Sequence, residues 1–373
     1  MNIAYVSNVV YPFVTGGAEK RIYEVGTRLA DRGHSVTVYG RHFWDGPTET
    51  TYDGLQLRAV ADSRDIYTGD RRSITEAIEF ATKLARPLRR HVDQHDLVVT
   101  SVFPYFPVLT AAAVTWRTKV PLVTTWHEVW REYWWEYLGP LAPGGIAVER
   151  AAAAVPQHPV AVSATTADRL AAIGPARDRI SVVHNGVDVS RIRAMAPAQR
   201  AYDVVFVGRL VDAKRVDRLL RAVAQLDGVS LGIVGDGPER DRLESLSASL
   251  GIVDRVDFLG FLDEYEAVLE LLRATPVFAT ASTREGFGIT LVEALAAGCT
   301  VVATAHPNTA AEEIVGEAGF LAEPTVEGLT ETLHRALDGE EPTTDPVERA
   351  RQFDWGQIAK DTERVYADVL RQQ

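Results

Sequence analysis

The regular alternation of short β-rich runs with longer helical patterns constrains the fold of this chain most. The first half begins with NIAYVS (residues 2–7), the helical AEKRIYEVGTRLADRG (18–33) and HSVTVYG (34–40). DLVVTS (96–101), the helical FPVLTAAAVTWRT (106–118) and PLVTTW (121–126) repeat this order. Such alternation predicts parallel sheets whose strands are joined by right-handed helical crossovers.

The pattern restarts in the second half, after the segment 189–200. The β-rich runs there are YDVVFVG (202–208), VSLGIVG (229–235), RVDFLG (255–260), PVFATA (276–281) and TVVAT (300–304). We predict an α/β fold of two Rossmann-like, doubly wound parallel-sheet domains, residues 1–190 and 200–350, facing a central cleft. We expect the C-terminal segment 355–373 to form a helix that packs back on the first domain.

Composition narrows the function classes. The 373 residues carry a formal net charge of −12, which disfavours nucleic acid as a partner. Cys299 is the single cysteine, so an internal disulfide and a cysteine-based zinc site are excluded. No apolar run reaches the length of a membrane span and the N-terminus does not resemble a signal peptide, so we expect a cytoplasmic protein.

One short basic run, RPLRRH (86–91), interrupts this acidic composition. Two interpretations stay open: a solvated helix face, which is the commoner case, or a patch that attracts anionic lipid headgroups at the inner face of the membrane.

The turns after the strands of the second half hold the candidate ligand residues, because ligands of open parallel sheets bind at the carboxyl ends of strands. In FVGRLVDAKRV, Gly208 ends a strand and Arg209 and Lys214 follow. The two cations suit a diphosphate, or they form a solvated basic face beside Asp212 and Asp217.

The next turn, IVGDGPERDRL (233–243), is similar to part of a dinucleotide fingerprint. Arg240 stands at the third glycine position, and no acidic residue follows at the distance expected for a ribose contact. The turn is therefore weak evidence for NAD, but Gly235 still indicates a tight turn beside a nucleotide. Pro238 is expected near the first position of the following helix.

The segment TREGFGITLVEALAAG (283–298) combines glycines with two acids. Gly286 and Gly288 place Glu285 on a loop, and a helix is expected to begin near Ile289. The N–H groups of residues 288–291 would bind an anion, while carboxylates accept hydrogen bonds from hydroxyls. Together these features indicate a nucleotide sugar, although Glu293 alone is also explained as a complement to the helix dipole.

The ordered set GRL…K, GDGP and EGFG…EALAAG resembles that of the retaining glycosyltransferases of family 4, which have the GT-B fold. The resemblance implies Arg209 and Lys214 at the donor diphosphate, Glu285 at the transferred sugar and Glu293 at the ribose. It also implies base contacts near Gly235, Gly260 and Phe261. The backbone of Gly17, Gly288, Ile289, Thr290 and Leu291 would complete the diphosphate site.

The loop ATAHPNTAAEEIVG (303–316) departs from the family pattern. It lacks the Gly-Gly pair that is common there, and Glu312 or Glu313 is left to replace the usual acid. The contacts of this loop with the donor sugar are therefore in doubt.

In the first half, the resemblance places Gly16 and Gly17 at a turn near the donor phosphate and the acceptor. It gives His127, at the end of a strand, a catalytic role beside the donor sugar. Trp130 and Trp134 either form an amphipathic helix that packs on the cleft or offer an aromatic platform to the acceptor. Ser163 is expected to cap a helix, and HNGVD (184–188) to act as a hinge.

The resulting prediction is a metal- and cofactor-independent retaining hexosyltransferase. It would move a sugar from a UDP- or GDP-linked donor to a hydroxyl of a glycan or lipid-linked glycan. Rival hypotheses are an NAD-dependent dehydrogenase, a sugar-nucleotide epimerase of the same fold and a non-catalytic nucleotide-sugar-binding protein.

Overall fold

The computed structural model describes residues 1–14, 16–68, 71–262 and 264–372. The chain forms two compact units: unit 1 is Met1–His184 with Trp355–Gln373, and unit 2 is Asn185–Asp354. The division at His184 lies a few residues before the segment 189–200, because the short helix that follows packs within unit 2. Gln373, the last residue of the predicted C-terminal helix, lies outside the described residues.

Unit 1 is built on an eight-stranded sheet in the order β10-β9-β8-β7-β1-β2-β4-β3, with β5 and β6 paired separately. The strands are β1 (Asn2–Val6), β2 (Ser35–His42), β3 (Glu49–Tyr52), β4 (Leu55–Asp62), β5 (Tyr67–Thr68), β6 (Arg71–Arg72), β7 (Leu97–Ser101), β8 (Leu122–Trp126), β9 (His158–Ala161) and β10 (Ser181–Val182). The helices before residue 184 are α1 (Gly17–Asp31), α2 (Ile74–His91), α3 (Phe106–Thr115), α4 (Tyr133–Leu138), α5 (Ala142–Ala154) and α6 (Ala164–Ala171). Ser163 caps α6 as predicted, since its hydroxyl accepts a hydrogen bond from the Thr166 N–H at 3.0 Å.

One edge of this sheet departs from the parallel arrangement that the sequence predicts. Strand β3 pairs antiparallel with β4, whereas the pairs from β10 through to β4 are parallel. The cause is the two-residue turn Asp53-Gly54, in which both residues have positive φ, 45° and 80°. Such a turn reverses a strand into a tight hairpin.

Unit 2 contains a six-stranded parallel sheet in the order β13-β12-β11-β14-β15-β16. The strands are β11 (Val204–Val207), β12 (Leu231–Val234), β13 (Val256–Gly260), β14 (Val277–Thr280), β15 (Thr300–Thr304) and β16 (Gly319–Ala322). The helices are α7 (Val189–Ala194), α8 (Val216–Ala224), α9 (Arg240–Ser249), α10 (Tyr265–Ala274), α11 (Ile289–Ala297), α12 (Ala311–Val315), α13 (Val326–Leu337) and α14 (Pro346–Arg351). The order reverses between β11 and β14, the switch point at which doubly wound sheets bind ligands.

The last helix, α15 (Trp355–Arg371), belongs to the core of unit 1. Trp355, Ile358 and Tyr366 are buried in the same cluster as Ile3 and Tyr5. Burial of each such side chain contributes roughly 1.5–3 kcal/mol, which is enough to hold a 17-residue helix against the sheet. The Tyr5 and Tyr366 hydroxyls share a hydrogen bond of 3.0 Å.

Candidate active site

The loops after β11 and β14 meet at the switch point of unit 2. Thr283, after β14, donates its backbone N–H to the Ala213 carbonyl at 2.8 Å, and its hydroxyl contacts the same carbonyl at 3.2 Å. Since Ala213 lies in the 3₁₀ turn Asp212–Lys214, this double contact holds the Lys214 turn beside the segment that leads to Glu285.

Lys214 and Glu285 form an ion pair at this junction. The ammonium group donates to Glu285 Oε2, and the two side chains are 20% and 26% exposed. The sequence alone assigns the two groups to different parts of a donor, and the structure places them in direct contact. A cation and a carboxylate that neutralise each other at a half-buried position provide a site in which an incoming anion can take over the cation.

The backbone of Glu285 is fixed by the loop that departs from the family pattern. Its N–H donates to the Asn308 carbonyl at 3.1 Å, and its carbonyl accepts from the Ala310 N–H at 3.1 Å. The segment His306 to Ala310 therefore positions Glu285. Burial lowers the pKa of His306 in this loop, with the Arg218 cation as a second cause.

Helix α11 begins at Ile289, as the sequence predicts, and Gly288 precedes it in the left-handed region at φ 79°. A Cβ atom at this position would lie 2.8 Å from the Leu291 side chain and 3.2 Å from Glu285 Cγ. Glycine is therefore required here both by conformation and by space.

The expectation of an unpaired N–H at Leu291 is wrong. This group donates to the Gly288 carbonyl at 3.0 Å, a bond within the first turn of the helix. An anion-binding site at the N-terminus of α11 can therefore use only the backbone N–H groups that precede Leu291.

A small cavity opens at the same place, and most of its lining residues have polar side chains. Its lining includes Val207, Lys214, Thr280, Ser282, Glu285, Thr290, Leu291, Thr304, Thr309 and Ala311. The hydroxyls of Thr280 and Ser282 share a hydrogen bond of 2.9 Å, and the Thr304 hydroxyl donates to the Ser282 carbonyl at 3.1 Å. The cavity thus combines the ion pair with the start of α11.

Glu293 lies beyond the first turn of α11 and is only 3% exposed, so its interpretation as a first-turn dipole complement is wrong. The Tyr265 hydroxyl, from the first residue of α10, donates to Glu293 Oε1. The sequence prediction missed Tyr265, since no local pattern indicates which neighbouring helix faces α11.

The residues expected near a base come together at the ends of β12 and β13. The Gly235 N–H donates to the Gly260 carbonyl at 2.7 Å, and Phe261 next to it is 75% exposed. A Cβ atom at Gly235 would lie 2.1 Å from the Gly208 carbonyl oxygen, so this glycine allows the turns after β11 and β12 to touch. An exposed ring beside two touching turns offers a flat apolar surface.

The turns after β11 and β12 place Arg209, Pro238 and Arg240. Helix α9 begins at Arg240, so Pro238 lies in the turn before the helix. Arg240, at the third glycine position, binds the Asp236 carboxylate at 3.1 Å and the Phe258 carbonyl at 3.2 Å. The Arg209 side chain is exposed on the loop between Gly208 and Leu210.

In unit 1, Gly16 precedes α1 with an extended backbone, and its carbonyl accepts from the Lys20 N–H at 3.0 Å. A Cβ atom at Gly16 would lie 2.3 Å from Glu19 Oε2, so glycine lets this buried carboxylate fold back over the helix start. Gly17 has open space around its Cα. Thr15, the preceding residue in the sequence, lies outside the described residues.

His127 follows β8 and lies 3.3 Å from the Ser101 hydroxyl through Nε2. Burial lowers its pKa to about 3, and the nearby Arg21 cation acts in the same direction. Arg21 itself is buried and donates to the carbonyls of Val183 and His184. His127 is therefore neutral at pH 7 and is suited to a hydrogen bond with a sugar hydroxyl.

Trp130 and Trp134 belong to an aromatic cluster. The Trp130 ring centroid lies 4.5 Å from Phe103, 4.8 Å from Trp134 and 4.8 Å from Tyr137. Trp134 is only 6% exposed, so its ring packs within this cluster and does not form an exposed platform.

The buried Glu149 holds the start of this aromatic segment. It accepts from the backbone N–H groups of Trp130 at 2.7 Å and Arg131 at 2.9 Å, and from the Tyr105 hydroxyl at 2.9 Å. Glu149 lies in α5, distant in sequence from the groups it binds, and was not predicted.

Within the part of the chain that the structure describes, no helix combines the length and apolarity needed to cross a membrane.

The fold matches solved glycosyltransferases of the GT-B type over the full chain. Sucrose-phosphate synthase from Thermosynechococcus elongatus superposes with a TM-score of 0.80 at 20% identity, covering 100% of both chains. The Anabaena protein Alr3699/HepE, solved in complex with UDP, gives 0.73 at 21% identity over 99% of this chain and 100% of that one. The two parallel-sheet α/β units therefore have the GT-B fold.

Sequence comparisons give the family. The model described as Glycosyltransferase Family 4 matches residues 15–191, and that described as Glycosyl transferases group 1 matches residues 191–353. The D-inositol 3-phosphate glycosyltransferase of Mycolicibacterium smegmatis is 31% identical over 91% of this chain and 83% of its own length. The glycogen synthase of Mycobacterium tuberculosis is 28% identical over 100% and 95%. The chain belongs to glycosyltransferase family 4 and is a transferase enzyme.

Proposed function

We propose that this enzyme transfers a sugar, with retention of anomeric configuration, from a nucleoside-diphosphate sugar to a hydroxyl of a glycan or lipid-linked glycan. The observation that carries the proposal is the Lys214–Glu285 ion pair beside the start of α11, at the switch point of unit 2. A UDP- or GDP-linked donor is favoured, and HepE, a protein of the same fold, was solved with UDP-glucose.

Release of the nucleoside diphosphate places negative charge on the leaving group. Lys214, the exposed Arg209 and the amides of Gly288 to Thr290 are the groups proposed to stabilise this charge. Preorganised cations and N–H groups in a partly buried site supply a large share of the rate enhancement in many enzymes. We propose that these groups perform the work without a metal ion.

Binding of the diphosphate would exchange the partner of Lys214. The ammonium group moves from the Glu285 carboxylate to the phosphate oxygens, and Glu285 becomes an acceptor for hydroxyls of the transferred sugar. Diphosphate binding and the release of the Glu285 carboxylate for the sugar hydroxyls are thus one event, because Lys214 takes part in both.

The nucleoside half is proposed to lie along the neighbouring strand ends. Glu293, which Tyr265 orients, would accept hydrogen bonds from the ribose hydroxyls. Phe261 and the turns at Gly235 and Gly260 would contact the base. In unit 1, the proposed roles are a hydrogen bond from neutral His127 to the donor sugar and an acceptor-side position for the Gly16–Gly17 turn.

A panel of nucleotide sugars, scored by release of free nucleoside diphosphate with and without EDTA, tests this function. We expect one UDP- or GDP-sugar to be turned over at a rate that EDTA leaves unchanged, with the product in the anomeric configuration of the donor by NMR. An isomerised nucleotide sugar without release would identify an epimerase instead. Thermal stabilisation by NAD, with none by UDP or GDP, would overturn the donor assignment.

A further inference from the structure

Unit 1 contains a large apolar pocket that the aromatic cluster around Trp134 helps to line. Its volume is about 330 Å³, roughly twice that of an engineered cavity of ~150 Å³ that binds benzene. The pocket is enclosed by the start of α2, the loop between β7 and α3, and helices α4 and α5. Its lining includes Ile74, Ala77, Phe106, Trp134, Leu138 and Val148.

Two polar side chains of this lining, Glu76 and Tyr105, already have partners within the protein. Glu76 is ion-paired with Arg41 at 2.6 Å and accepts from the Asn8 amide at 3.0 Å. The Tyr105 hydroxyl donates to Glu149 at 2.9 Å. A sugar ring or a peptide backbone would bring several polar groups into a mostly apolar pocket, where burying a polar group without a hydrogen-bond partner is unfavourable. A hydrocarbon brings none.

The mouth of the pocket is apolar as well. Ile74 is 50% exposed and Leu141 is 71% exposed, and both line the pocket. Ile78, one turn further along α2, and Trp135, on α4, are also large exposed apolar side chains. These exposed apolar side chains adjoin the pocket. Such a patch is typical of a surface that binds a membrane or another apolar partner.

One wall of the pocket is formed by the loop after β7, the strand that pairs with β8, and the candidate catalytic histidine follows β8. Its wall includes Phe103 and Pro104, which follow β7, and Ser101 at the end of that strand is the hydrogen-bond partner of His127. A hydrocarbon chain bound in this pocket would place the polar head of the same molecule near the carboxyl ends of β7 and β8.

From these observations we propose that the pocket binds the hydrocarbon chain of an amphiphilic acceptor, whose polar head carries the hydroxyl that is glycosylated. The role of the bound molecule as an acceptor rests on the proposed transfer reaction. The inference adds that this acceptor is a lipid. The binding of the chain itself requires no donor and can be measured separately.

The test uses n-hexyl, n-octyl and n-decyl β-D-glucosides as probes, below their micellar concentrations, with calorimetry as the readout. We expect the affinity to rise roughly fourfold for each added methylene, the fold-change that corresponds to about 0.8 kcal/mol. Equal affinity for all three glucosides, or no binding by any of them, would overturn the proposal.

Gly144 allows a matched pair of variants. It lines the pocket in α5, and a Cβ atom there would meet no other atom within 4 Å, so a larger side chain fits the backbone. Gly144→Phe, or Gly144→Leu if the first variant does not fold, should fill the pocket and weaken decyl glucoside binding at least tenfold. Ala151→Phe adds the same ring at an exposed position of the same helix and should bind like the wild type.

A pocket-filled variant that folds, by thermal unfolding, and still binds decyl glucoside with wild-type affinity would also overturn the proposal. Release of nucleoside diphosphate from the donor alone separates the two claims. If chain binding fails while donor turnover persists, only the lipid inference is wrong. If chain binding is found without turnover of any nucleotide sugar, the proposed transferase reaction is wrong and the pocket assignment stands.

Discussion

The strand ends of the two units differ in chemistry although both belong to doubly wound α/β sheets. In unit 2, the switch point carries an ion pair, a left-handed glycine and the start of α11. In unit 1, the strand ends carry a neutral histidine and an apolar pocket. The same architecture thus carries charged groups where we propose that a diphosphate binds, and apolar groups where we propose that an acceptor binds.

The strongest test of this contrast is Glu285→Gln. We expect kcat to fall by about 10²–10³-fold, as for the loss of one preorganised group at a reacting centre, while the Kd for the nucleoside diphosphate changes little. Steady-state kinetics together with calorimetry measure the two effects. A parallel loss of nucleotide binding would contradict the assignment of Glu285 to the sugar.

Arg209→Ala should affect binding where Glu285→Gln does not. Loss of a charge-assisted contact is worth about 1.5–3 kcal/mol, so we expect the Kd for UDP or GDP to weaken by roughly 10–100-fold. Arg221→Ala, on α8 and exposed, is the control. Equal affinity of the Arg209 and Arg221 variants would remove Arg209 from the diphosphate site.

Gly235→Ala probes the close contact between the turns of unit 2. The added methyl would lie 2.1 Å from the Gly208 carbonyl oxygen, at a φ of 123°. We expect the free energy of unfolding to fall by about 1–3 kcal/mol from backbone strain. Gly144→Ala, whose methyl has open space, should leave the stability unchanged or slightly higher in denaturant titrations.

Tyr265→Phe removes the hydroxyl that binds Glu293. The net value of one such hydrogen bond is about 0.5–1.5 kcal/mol, so we expect KM for the donor to rise by roughly 2–10-fold with kcat nearly unchanged. A fall in kcat without a change in KM would indicate that Tyr265 acts at the reacting centre rather than at the ribose.

The smallest expected effect concerns pH and unit 1. The pKa of His127 is lowered from 6.5 to about 3 in the fold, so the unfolded chain takes up this proton first as the pH falls. The stability that the neutral histidine contributes is therefore present above pH 6.5 and is lost progressively towards pH 3.

His127→Gln stays neutral throughout this window. Its free energy of unfolding should decline less steeply between pH 7.5 and pH 5 than that of the wild type. His334→Gln, at a solvent-exposed position, should follow the wild-type curve. Identical slopes for all three proteins would show that the burial of His127 does not control its protonation.

The sequence predicted most of what lies within one element or one turn. The start of α11 at Ile289 follows from Gly288, and the start of α6 follows from Ser163, because caps and glycines act over a few residues. The antiparallel edge strand β3 had a local signal in Asp53-Gly54 that the prediction did not use.

Contacts between elements were outside the reach of local patterns. Lys214 and Glu285 are 71 positions apart, and Tyr265 and Glu293 are 28 apart. Each pair meets because the strand order of the sheet brings two turns or two helices side by side. The buried Glu149 and the apolar pocket have the same origin, since both are formed by segments from several elements.

The sequence by itself therefore determined the alternating α/β architecture and the places where turns need glycine, and it supplied the residues that we propose bind a diphosphate. These depend on periodicity and on backbone conformation, which are local properties. Only the tertiary structure decided that Lys214 neutralises Glu285, that Tyr265 holds Glu293 and that Trp134 lines a pocket. These outcomes depend on which elements pack together, and that is set by burial of the whole core.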